Sequence, residues 1–170
     1  GGSALFGSSA IAGTINIITK EPVRNSGSIS HTTMSIGGTS ALHNTTDINV
    51  SIVSDDNKLG IAVFGQNTAK DAWDANGDGF TELSRISGQT IGFRGYVKTG
   101  LYSKVTAEYH HLQEFRRGGD NLHLPPHEAM IAEQTEHGIN TGGVKFDVFS
   151  KDNKHMFNTF ASIQHIARDS

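Results

Sequence analysis

The sequence predicts an all-β chain: about seven antiparallel, up-and-down strands forming part of a transmembrane β-barrel. Apolar and polar residues alternate with period two in several segments, which marks strands with one apolar face. The segments run for about nine to sixteen residues against the usual five or six, a length that suits a tilted membrane crossing. Their connections are short after the second, fourth and sixth strands and longer elsewhere, so every short turn falls at one end. A soluble sandwich has no physical reason to sort its connections in this way. An outer-membrane barrel does, because its outer end carries the binding loops.

Taken in order, Ser28 to Ile36 is rich in Thr, Ser and Ile and reads as a strand that ends at Gly37-Gly38. Thr45 to Val53 sets Ile48, Val50 and Ile52 against Asp47, Asn49 and Ser51, the clearest alternation in the chain. Ser54-Asp55-Asp56-Asn57-Lys58 is a tight turn by composition, since Asp and Asn bond nearby backbone and tolerate left-handed conformations. Leu59 to Gln66 returns as a strand, and a long polar stretch follows over 67–84. Gln89 to Lys98 places Ile91, Phe93 and Val97 opposite Arg94, Tyr96 and Lys98, and Thr99-Gly100 turns the chain. Tyr102 to Phe115 sets Val105, Ala107 and Tyr109 against Lys104, Thr106, Glu108 and His110, before a second long loop over 116–134. Thr135 to Ser150 presents Val144, Phe146 and Val148 away from Lys145 and Asp147. After the turn 151–154, His155 to Ala167 has Phe157, Ala161 and Ile163 opposite Asn158, Ser162 and Gln164.

Composition fits this reading without choosing it. The 170 residues are 35% hydrophobic, with mean hydropathy -0.34. No run of apolar residues is long enough for a membrane helix, but barrel strands are apolar only at alternate positions and leave average hydropathy low. The absence of cysteine excludes a disulfide framework and any thiolate metal site. A net charge of -3 gives no basic field for nucleic acid.

Upstream of the first strand, GSSAIAGTINIITK at 7–20 joins a turn of small residues to the β-branched run Thr14 to Thr19, which favours a buried strand. With Ser3-Ala4-Leu5-Phe6 before it, this stretch resembles the last element of the plug domain in TonB-dependent outer-membrane receptors. The resemblance implies that 1–22 ends a plug, with Gly7, Ala12, Gly13 and Asn16 carrying its motif, and that 23–170 holds the first barrel strands. It implies a whole barrel of about twenty-two strands, so the chain is expected to be a piece of a longer protein, with any signal peptide outside it. It further implies a place in the outer membrane of a Gram-negative bacterium, in contact with outer-membrane lipid. The implied activity is uptake of a scarce small-molecule or metal-chelate ligand: cobalamin, an iron-siderophore or haem. Energy would come from the TonB complex, whose contact segment would lie before Gly1.

The two long loops hold the candidate site residues. Asp74, Asn76 and Asp78 form D-x-N-x-D, followed by Gly79 and by Glu82, an oxygen-rich series of the kind that binds calcium. Arg85 stands where an EF-hand has its bidentate Glu, and no helices flank the loop, so an EF-hand is excluded. The same residues equally form Asn-Gly and Asp-Gly turns in an acidic surface loop. Receptors of the cobalamin-transporting type, as the resemblance implies, use calcium to order early loops. Trp73, Arg116, Arg117, His123 and His127 are placed to meet ligand, although exposed Arg and His at a barrel mouth also serve simply as solvated groups. His110 and His111 point to opposite faces of one strand, and Pro125-Pro126 prevents His123 and His127 from sharing a helical face.

No catalytic signature is present: there is no G-x-S-x-G elbow, no H-E-x-x-H pair and no P-loop Lys after the glycines. The expected protein is therefore not an enzyme. A soluble calcium-binding β-domain and a surface adhesin module are the alternative readings. The first needs a second sheet to cover its apolar faces, and the second needs a fixed repeat that these residues lack.

Overall fold

The computed structural model describes residues 21–152 and 154–169. The plug motif at Gly7, Ala12, Gly13 and Asn16 lies outside the described residues. Seven strands form one antiparallel sheet in chain order: β1 (Ser26–Ser35), β2 (Leu42–Val53), β3 (Leu59–Lys70), β4 (Phe80–Gly100), β5 (Ser103–Asp120), β6 (Ala132–Phe149) and β7 (Met156–Asp169). A single 3-10 turn, Pro126–Glu128, interrupts the β5–β6 connection. Every strand pairs with its chain neighbours, and the sheet is open, with β1 and β7 as its edges. Among the described residues, no helix is long and apolar enough to cross a membrane.

All seven expected strands are present, and most extend further than expected. β1 runs for 10 residues but β4 for 21, beginning nine positions before Gln89. The longer connections shrink accordingly, to 36–41, 71–79 and 121–131, while the other end carries 54–58, 101–102 and 150–155. The sorting by length persists in the middle of the sheet, and 36–41 is no longer than 150–155. Near its start β4 loses register with β5 between Thr81 and Arg85, where Leu83 pairs instead with Trp73.

Two turns at the short end share the sequence S-x-D-N-K. In each, the Ser hydroxyl donates to the Asp carboxylate, at 2.7 Å for Ser54–Asp56 and 2.5 Å for Ser150–Asp152. The same Ser oxygen accepts the N–H of the first returning residue, Leu59 or His155, at 3.0 Å. Asn57 takes a φ of 53°, the left-handed conformation that Asn tolerates.

The ladder partners assign every strand residue to one of two faces. One face carries Ile29; Ile48, Val50 and Ile52; Ile61 and Val63; Ile91, Phe93 and Val97; Val105, Ala107 and Tyr109; Val144, Phe146 and Val148; and Phe157, Ala161 and Ile163. This apolar band occupies the short-turn half of the sheet. Beyond it the same face turns polar, through Thr46, Asn67, Gln89, His111, Asn140 and His165. Most of its large side chains are exposed, from 38% at Phe93 to 76% at Ile163, while Val105, Phe146 and Val148 are half-buried.

The opposite face is polar. Asp47 accepts hydrogen bonds from Gln66 at 2.6 Å and from Ser30 at 3.3 Å. Lys145 pairs with the buried Asp147 at 2.8 Å. Phe64 reaches across Gly92 to the His110 ring, with centroids 5.2 Å apart. β7 departs from the pattern, since Met156, Phe160 and Ile166 put apolar groups on this face too, and none is covered by a described residue. Among the described residues the only buried hydrophobic side chains are Val53 and Tyr96, and both lie on the polar face. The sheet therefore has no hydrophobic core of its own.

Candidate functional site

Chemistry-bearing groups gather in three places: the polar face at the short-turn end, the acidic loop 71–79 with the start of β4, and the loop 121–131. On the polar face, alternation on β4 and β5 brings Arg94, Lys104 and Glu108 together across the ladder. Arg94 donates to Glu108 at 2.9 Å. Glu21, arriving from outside the sheet, accepts from Lys104 Nζ at 2.8 Å and 3.1 Å and lies 3.8 Å from Arg94. Beside this network a cleft of about 650 Å³ is lined by Ser28, Asn49, Ser51, Phe64, Arg94 and His110 among others. The alternation had already placed Glu108 and Asp147 on a polar face. Glu21 carries no periodic signal and was not foreseen.

The acidic loop is folded by its own carboxylates. Asp74 accepts backbone N–H groups from Gly77 at 2.6 Å, Gly79 at 2.8 Å and Asn76 at 3.2 Å. The Gly79 hydrogen bond, more than the others, holds its carboxyl below the ordinary 3.8. Asp78 accepts from the Phe80 N–H at 2.8 Å and from the Asn76 side-chain amide at 3.0 Å. Glu82 accepts from the Ala75 N–H at 2.6 Å. One oxygen from each of Asp74, Asp78 and Glu82 lies within 4.8 Å of the others. Hard oxygens at this spacing suit a divalent cation such as calcium. The Asn76 carbonyl, the fourth expected ligand, instead accepts the Asp78 N–H at 3.0 Å.

The residues expected to meet ligand sit in different surroundings. Trp73 is half-buried against Gly37, where φ is +59° and an added Cβ would sit 2.5 Å from the indole. It thus ties the acidic loop to the 36–41 connection. Arg117 is buried, at 4% exposure, and donates to the carbonyls of Gly118 at 2.9 Å and Leu124 at 3.5 Å. Its expected exposure to solvent is corrected: Arg117 is enclosed where the loop 121–131 brings the Leu124 carbonyl to it. Arg116 is exposed on the polar face and pairs with Glu114 at 2.7 Å. His123 and His127 are exposed on the loop, and His127 lies 3.7 Å from its neighbour Glu128. His110 and His111 occupy opposite faces, as their adjacency requires, with His111 hydrogen-bonded to Asn140 at 2.9 Å. Neither a protein-family model, nor a curated protein, nor a solved structure matches this chain.

Proposed function

We infer that this chain is a section of the wall of an outer-membrane β-barrel of the TonB-dependent receptor type. In this reading it takes part in uptake of a scarce small molecule or metal chelate, among which cobalamin, an iron-siderophore and haem are the candidates. The observation that carries the reading is the two-faced sheet. An apolar band crosses all seven strands with most of its large side chains exposed, while the opposite face holds the ion pairs. In water such a band is a liability, because each large side chain forgoes about 1.5–3 kcal/mol of burial. Against lipid hydrocarbon, with the polar face lining a lumen, the same arrangement is at equilibrium.

The receptor type draws support from two further points. The stretch 7–20 resembles the end of a plug, and Glu21 and Pro22 enter over the polar face at the short-turn end, where the chain leaving a plug would run. The connections 71–79 and 121–131 are then external. The test is folding of the full-length protein in detergent micelles and in plain buffer, followed by circular dichroism and gel mobility with and without heating. A β-rich species with heat-shifted mobility, formed only with detergent, is expected. A monomer that folds cooperatively in buffer alone would overturn the reading in favour of a soluble calcium-binding β-domain.

A further inference from the structure

We propose that Glu21–Asn25 is a clamp that fastens the entering chain to β4 and β5 and so isolates β1 from movement of the chain upstream. It makes three contacts of different kinds. The Glu21 carboxylate is held by Lys104 and Arg94, and Arg94 is itself held by Glu108. Pro22 is buried in a slot beside Tyr96 that exists because residue 60 is glycine. A Cβ at Gly60 would strike the Tyr96 ring and lie 3.0 Å from the proline ring. The Asn25 side-chain oxygen accepts the Val53 N–H at 2.6 Å, at the last residue of β2.

The need for a clamp follows from topology. Among the described residues β1 is an edge strand, exposed along its whole length and paired only with β2. Its first ladder pair is Ser26 with Ser51. A displacement of the preceding chain would act on that pair first, then on Gly27 with Val50, opening the ladder one pair at a time. Single hydrogen bonds resist such peeling weakly because each is worth little alone. Glu21 diverts the displacement to β4 and β5, which pair on both sides and share a ladder running from Phe80–Asp120 to Gly100–Ser103. A pull on the upstream chain rests on the receptor reading above. The clamp itself rests only on these contacts.

Hydrogen exchange of the amides of 23–30 tests it, in the full-length protein under whichever condition folds it, as wild type, E21Q, K104M and E21Q/K104M. Charge-assisted hydrogen bonds at half-buried positions predict about tenfold faster exchange in each single variant. They also predict no further gain in the double variant, because the two residues act as one unit. R116Q, at the other end of β5, is the control and leaves these amides at wild-type rates. Unchanged exchange in E21Q, or effects that multiply in the double variant, would overturn the clamp. Folding in plain buffer with the predicted exchange pattern would sink the barrel and leave the clamp standing.

Discussion

Arg116 and Arg117 are adjacent and chemically identical, yet one pairs with Glu114 at the surface and the other is enclosed by its own loop. Sequence shows two cations beside a long loop. Which one the loop covers depends on strand parity and on how 121–131 folds back, and neither has a local signature. The short turns differ, because all their partners lie within five residues. Asp56 accepts from the Ser54 hydroxyl at 2.7 Å and from the Lys58 N–H at 3.1 Å, with the Lys58 ammonium 3.1 Å away. These contacts, the Ser54 hydroxyl foremost, lower its carboxyl from 3.8 to about 2. A carboxyl depressed by folding stabilises the turn above its unfolded value and loses that contribution as pH falls through its folded one. The turn is therefore fully supported above pH 3.8 and released near pH 2. Carboxyl-carbon NMR titration of the folded protein should find Asp56 titrating near 2, and a midpoint near 3.8 would show that the Ser54 and Lys58 contacts do not hold it.

The strands were legible where one face meets the apolar band and illegible beyond it. In β4 the alternation of Ile91, Phe93 and Val97 marks the half that carries the band. From Phe80 to Gln89 both faces are mostly polar or glycine, so hydrophobic period disappears while the backbone ladder continues. The same happens at the loop ends of β3 and β5, which is why the long loops were expected to be longer than they are. Alternation also assigns consequences to single positions. Val63 lies in the centre of the band and Gln66, three residues on, lies on the polar face beside Asp47. Val63→Arg should destabilise the bilayer-inserted protein by about 2–4 kcal/mol, the cost of a cation at mid-membrane on a lipid-facing site. Gln66→Arg keeps a donor for Asp47 and should change stability by less than about 1 kcal/mol. Denaturant titration in lipid vesicles measures both, and equal effects would contradict the assignment of faces.

At the scale of the molecule, what stands out is a sheet of seven long strands whose described residues enclose no core and leave two edges unpaired. Seven strands do not close a membrane barrel, which needs at least about eight. Exposed edges also invite further strands or aggregation. The sequence made the strand count, order and two-faced character readable, because each follows from local period and from connection lengths. The charge network that joins β4, β5 and Glu21 was unreadable, because it is assembled by register between strands and by the path of a segment with no pattern of its own. The central claim is that the apolar band meets lipid. These 170 residues contain no cysteine, so a single introduced cysteine is the one thiol label within them. The measurement is quenching of a fluorophore attached in turn at 61, 62, 63, 66, 93, 162 and 163 by lipids carrying bromine on their acyl chains. Strong quenching at Ile61, Val63, Phe93 and Ile163, with little at Ala62, Gln66 and Ser162, is the predicted result. Equal quenching on both faces, or none on either, would contradict it.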